Sequence, residues 1–162
     1  MTDSLKPESN AAAPLADWQQ RAASVAQLEA ELFEQNKTAL LHALQMSGVT
    51  HVIVAFDGAS DSGQIESVEV RAGDDDITMP GAHVEYLKIG FDASDRPEPT
   101  PVSVTLEQAI DRFAYDILER THGGWENNDG AYGEFVFDVA KQAITLEHHD
   151  RYIAIESYNH TF

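Results

Sequence analysis

The strongest constraint on how this chain folds is a change of hydrophobic period at Gly48. Up to that glycine, "DWQQRAASVAQLEAELFEQNKTALLHALQMSG" repeats its apolar residues at helical spacing. Ala22, Val25, Leu28, Leu32 and Ala39 form a stripe that Phe33, Leu40, Leu41 and Leu44 widen. Asp17 and Gln20 stand in capping-box spacing, and Gly48 falls where a helix C′ residue belongs. The segment predicts one long helix, or two with a break near Asn36, with the stripe facing a core. From Val49 the pattern changes: "VTHVIVAFD" is β-branched and apolar on both faces, as in a central strand.

The remaining segments extend the β pattern and add a second helix. "DGASDSG" interrupts and "QIESVEVRA" resumes, which is the local chemistry of a hairpin. "GDDDITMPGA" leads to a third strand, "HVEYLKIGFD", with Leu87, Ile89 and Phe91 alternating on one face. "ASDRPEPTP" predicts an extended connector, because its prolines forbid helix and interior strand. Thr105 and Gln108 repeat the capping-box spacing ahead of Leu106, Ala109, Ile110, Phe113, Ile117 and Leu118, an amphipathic helix that "HGG" ends. "EFVFDVAKQAITLEHHDRYIAIESYNHTF" then splits into two or three strands. The order α-β-β-β-α-β-β predicts an α+β fold, not a doubly wound one. The expected architecture is an antiparallel sheet of five to six strands with two helices packed on one face.

A chain of 162 residues with 43% apolar content can bury one core. Residues 1–14, polar with Pro and Ala and no apolar period, are expected to form a disordered tail, and 15–162 a single domain. With no cysteine, disulfides, zinc ribbons and thiol catalysis are excluded. Apolar runs such as "VIVAF" are far below the ~18–20 residues that cross a bilayer, and no signal-peptide pattern occurs, so the expected location is cytoplasmic. Ten basic against 28 acidic residues leave a net charge of −18. Phosphate backbones and anionic lipid surfaces repel such a chain, whereas a basic or nucleic-acid-binding protein attracts it. Direct nucleic-acid or membrane binding is therefore not expected.

Two Gly-rich polar loops, 57–64 and 122–134, hold the candidate functional residues. "HGGWENNDGAYGEF" is not an EF-hand: with Gly130 at loop position 6, Trp125 falls at position 1 and Val136 at position 12, where oxygen ligands are needed. "DGASDSG" is not a nucleophile elbow, since Ser62 stands where Gly is required, and it links two strands. No Lys follows it as a phosphate loop demands. His148 and His149 are adjacent on a strand and so point to opposite faces, a weak metal signal. Asp74, Asp75 and Asp76 read as a solvated loop. If the sheet brings the two loops to one end, Asp57, Asp61, Ser62, Gln64, Trp125, Glu126, Asn127, Asn128, Asp129 and Tyr132 form one polar patch. Most of these side chains also suit turn capping. No catalytic residue and no cofactor is assigned; a divalent cation is the one inorganic ligand that such oxygen-rich loops suit.

"DGASDSGQIE" and "GGWENNDGAYGEFVFDV" together resemble an uncharacterised family of small acidic bacterial proteins, a domain of unknown function found on plasmids, phages and other mobile elements. The resemblance runs from about Phe33 to Phe162, and it carries over no catalytic residue. It implies a bacterial cytoplasmic setting and, by association, a part in conflict between mobile elements and hosts. The expected function is a non-catalytic acidic protein engaging a basic protein surface, in its finer form a DNA-mimicking inhibitor of host defence. The alternatives are an enzyme or a small-ligand or divalent-cation-binding domain with its site where the loops meet, and a homodimer formed through the first helix.

Overall fold

The computed structural model describes the backbone of residues 6–59, 62–127, 130–152 and 154–162, and side chains from Asp17 on except at Ala59 and Ser62. Helix α1 (Lys6–Met46) is followed by β1 (His51–Ala59), β2 (Ser62–Ala72), β3 (Asp75–Ile77), β4 (His83–Phe91) and β5 (Pro97–Thr105). Helix α2 (Leu106–His122) leads to β6 (Ala131–Asp138) and β7 (Ala143–Asp150). The fold is α+β, with a five-stranded sheet in the order β3-β2-β1-β6-β7 and a separate β4–β5 hairpin. All pairings are antiparallel. No helix among the described residues is long and apolar enough to cross a membrane.

Helix α1 is continuous and does not break at Asn36. It begins at Lys6, inside the segment expected to be a tail, whose Ala11–Ala13 run has high helix propensity. Its end is the one its sequence predicts. The Val49 N–H donates to Leu44 O and the Gly48 N–H to Gln45 O, with Gly48 at φ 78°. This is a Schellman closure, and only glycine adopts that φ without strain. From Asp17 to Glu31 the helix is mostly exposed; from Leu32 on it buries Leu32, Leu40, Leu41 and Leu44.

Asn36 is buried among these leucines because the edge of β4 needs it. Its Nδ2 donates to Leu87 O at 2.9 Å and its Oδ1 accepts from Leu87 N–H at 2.8 Å. One side chain thus satisfies both backbone groups that a further strand would otherwise pair. The other side of the hairpin corrects the connector expectation. Pro97, Pro99 and Pro101 lie in strand β5, opposite Phe91, Ile89 and Leu87. Leu87 turns its N–H and C=O toward Asn36, so Leu87–Pro101 is a non-hydrogen-bonded pair. By the two-residue alternation of an antiparallel ladder, all three prolines face their missing N–H outward. They fit an edge strand and blunt that edge.

Strand β1 alternates strictly from His51 to Gly58. Val52, Val54 and Phe56 of β1 meet Phe135 and Phe137 of β6 on the buried face, where Leu106, Ile110, Phe113 and Leu118 of α2 complete the core. A bulge between Ala55 and Phe56 shifts the β2 register, and the Ile65 N–H beside it donates to the Tyr115 hydroxyl at 3.0 Å, tying α2 to the sheet. Among the described residues the opposite face, with Ile53, Ala55 and Val136 at its centre, contributes nothing to the core cluster. The apolar-on-both-faces character of β1 therefore marks an uncovered face rather than a doubly buried strand.

Candidate functional site

The two polar loops meet at one end of the sheet. Trp125 lies over Gly58 and Gly63 so closely that a Cβ on either would come within 2.6 Å of its ring, and a Cβ on Gly63 would also meet Glu126 Cβ at 2.8 Å. Trp125 is 6% exposed and packs edge-on against Phe56 at 5.4 Å. It is the plug that joins the loops rather than an open stacking wall.

The sheet divides the expected patch between its faces. Asp57, Gln64 and Tyr132 are neighbours in one row across β2, β1 and β6 on the open face. Trp125 and Glu126 stand at the hairpin end on the core side. Asn127 holds the turn: its N–H donates to Gly124 O and its carbonyl accepts from the Gly130 N–H, both at 2.9 Å. Ser62 opens β2 opposite Ala59. Asp61, Asn128 and Asp129 lie outside the described residues, as does the Ser62 side chain.

Asp57 has a partner that sequence reasoning did not find. Arg151 grips it bidentately, with Nη1–Oδ1 at 2.7 Å and Nη2–Oδ2 at 3.1 Å, and Nη1 also donates to Gly58 O at 3.2 Å. The guanidinium lies over the Tyr132 ring, 4.7 Å from its centre. The hydrogen bonds from Arg151 hold the Asp57 carboxyl below the usual carboxylate range. His148 and His149 fall on opposite faces. His149 stacks on Tyr132 at 4.9 Å, while His148 stacks on His122 at 3.6 Å and reaches Asp150 at 2.9 Å.

A cavity of about 280 Å³ opens at this junction, lined by His122, Trp125, Asn127, Asp150 and Arg151 among others. Glu126 Oε2 and His148 Nδ1 are buried without a hydrogen-bond partner among the described residues. Within those residues no group of three or more His, Asp or Glu side chains is placed to hold a metal ion.

A larger groove of about 560 Å³ lies between α1, β4 and α2. Leu32, Phe33, Leu87 and Ile89 form its apolar surface, and Lys88, Arg112, Arg120, Glu29 and Glu119 its charged rim. Arg120 covers the Phe33 ring at 4.3 Å. Within the groove the Tyr86 hydroxyl donates to the Asp116 carboxylate. Burial, reinforced by Asp116, pushes the Tyr86 hydroxyl well above its ordinary pKa. Burial also raises the Asp116 carboxyl, against the lowering effect of Tyr86, Arg112 and Arg120. The one trace of this groove in the sequence is the i, i+4, i+8 spacing of Arg112, Asp116 and Arg120, which reads equally as a solvated helix face.

The fold and these two concavities define a small α+β domain with an open sheet face. Its family follows from comparison: the model described as "Family of unknown function (DUF6878)" matches residues 32–162, and the chain belongs to that family. The match begins at Leu32, where α1 starts to bury its stripe. No curated protein and no solved structure matches the chain.

Proposed function

We propose that this is a non-catalytic binding domain that offers the open face of its sheet to a basic protein surface. The observation that supports it best is the make-up of that face. Ile53, Ala55 and Val136 form an apolar centre, bounded by Glu69, which pairs with Arg71 on the same face at 3.3 Å, and by Glu134, Glu147 and Asp138 along the paired strands. Glu134 and Glu147 stand directly opposite each other in the β6–β7 register. Like charges in that position cost stability; His149 Nε2, 3.0 Å from Glu147 Oε1, meets part of that cost within the chain, and a cationic partner relieves the rest. An apolar centre with a charged rim is the anatomy of a protein interface. The net charge of −18 adds long-range attraction for basic partners. In its finer form the reading is a mobile-element protein that mimics DNA against a host defence factor, supported by the charge and by the resemblance of its two loop motifs.

The test is affinity capture from a bacterial lysate at low salt, with a Glu69→Lys/Glu134→Lys/Glu147→Lys variant beside the wild type. The reading expects a basic or nucleic-acid-binding protein on the wild type alone, released by salt. If both chains retain the same proteins, or neither retains a basic one, it fails.

A second reading, a small-ligand or divalent-cation site between loops 57–64 and 122–134, draws support from the junction cavity and from Glu126 Oε2 and His148 Nδ1, which adjoin its lining residues in the chain or by contact and are buried without a partner among the described residues. Calcium or magnesium then raises the melting temperature. An unchanged melting temperature counts against the cation form.

A further inference from the structure

Residues 151–162 follow β7 as an arm without secondary structure among its described residues. Tyr152 and Ile155 are each 83% exposed, Tyr158 is 77% exposed, and Phe162 is wholly so. Single exposed apolar residues are ordinary; four large ones on one short segment mark an interaction site. The family match runs through Phe162, so the arm is part of the shared domain.

The root of the arm is fixed, while beyond it the described residues, 152 and 154–162, are exposed. The Arg151 N–H donates to Gly130 O at 2.9 Å, and its guanidinium is locked to Asp57 and Gly58 O. Beyond that root the arm's one hydrogen bond among the described residues is local, from the Tyr158 hydroxyl to Glu156 at 2.8 Å. Asp57 and Tyr132, expected to bind a ligand, thus aim the chain outward.

The same molecule carries a groove of matching character. Phe33, Leu87 and Ile89 offer apolar surface, and within a rim that also holds Glu29 and Glu119, Lys88, Arg112 and Arg120 can meet the arm's Glu156. We propose that the arm of one copy seats in the α1–β4–α2 groove of a second copy, and reciprocally, so that two chains exchange arms. Three aromatics bury roughly 150–250 Å² each. Two arms then contribute about 900–1,500 Å², to which the groove surfaces add a smaller share, within reach of the roughly 1,200–2,000 Å² of a stable interface. The proposal does not rest on the sheet-face reading. Two chains of −18 repel each other, so salt strengthens this dimer, whereas it weakens capture of a basic partner.

Sedimentation velocity of the full chain at micromolar concentrations, in low and high salt, tests the exchange. Three variants accompany it: Tyr158→Ser/Phe162→Ser in the arm, Ile89→Glu in the groove, and Lys88→Glu as a second groove variant at an exposed position. Far-ultraviolet circular dichroism confirms that each is folded. The wild type sediments as a dimer, and each aromatic removed weakens it by about tenfold or more. Arm and groove variants mixed in equal amounts regain a heterodimer held by one arm, at higher concentration than the wild type needs. A monomeric wild type overturns the proposal. So do arm variants that dimerise as well as the wild type, which would place the contact on the exposed part of α1, or a mixture that stays monomeric.

Discussion

Replacing Asn36 with alanine tests how α1 holds the β4–β5 hairpin. The side chain is 3% exposed and makes two hydrogen bonds, both to Leu87 of the β4 edge. A hydrogen bond contributes about 0.5–1.5 kcal/mol net, and a buried backbone group left without a partner costs about 1–3 kcal/mol. The groove beside Leu87 lets water reach one of the two groups, so the expected loss is about 2–4 kcal/mol. For a chain of this length each kcal/mol corresponds to roughly 2–4 °C, so the midpoint falls by about 5–15 °C. Urea unfolding followed by circular dichroism measures it, with an unchanged m-value showing that the native state keeps its compactness. Asn36→Asp separates the two bonds: the Leu87 N–H keeps an acceptor, while a carboxylate faces the Leu87 carbonyl, so the penalty grows as pH rises through its ionisation. A loss below about 0.5 kcal/mol for Asn36→Ala would refute the claim that this side chain terminates the β4 edge.

Gly63→Ala drives a methyl into the Trp125 ring and Glu126, with an expected cost of about 1–3 kcal/mol and a changed near-ultraviolet signal from Trp125; wild-type stability and spectrum would show that the loops do not rest on this contact. The Asp57 pKa is depressed by Arg151, so the pair's contribution is complete above the ordinary value of 3.8 and is lost as pH falls through the lower folded value. A carboxyl titration followed by nuclear magnetic resonance checks this, and an Asp57 midpoint at or above 3.8 contradicts it. Asp116 has the opposite sign: its raised pKa means the folded state loses stability as pH climbs above 3.8. Asp116→Asn, which keeps an acceptor for Tyr86, therefore raises the melting temperature at neutral pH; a lowered one shows that Arg112 and Arg120 outweigh burial.

Local chemistry was largely legible in the sequence, although Asp17 and Gln20, in capping-box spacing, lie inside α1; long-range placement was not. Gly48 closes α1 as its position predicts, and Thr105 and Gln108 form the expected reciprocal capping box on α2. Each depends on residues a few positions apart, where one turn geometry excludes the others. Of the two readings of α1, one long helix holds; the alternative, a break near Asn36, arises because a polar residue in a helical stripe reads as an interruption until the β4 edge that binds it is in view. Strand β5 was read as a connector because prolines are penalised in any ladder. Only the register shows that all three share the unpaired side. The loops do converge, but a sequence does not assign their side chains to faces until the β1–β2 and β1–β6 registers are fixed. Arg151 was overlooked because its partner Asp57 lies 94 residues away. The groove draws on three elements, each ordinary by itself.

The central claim is that the uncovered sheet face receives a basic partner. Residue-resolved nuclear magnetic resonance on the full chain, titrated with an arginine-rich peptide at low and high salt, addresses it most directly. The account predicts shifts centred on Ile53, Glu69, Glu134 and Glu147, weakening with salt. Shifts confined to α1 or to the Trp125 loops, with β1 and β6 undisturbed, contradict it.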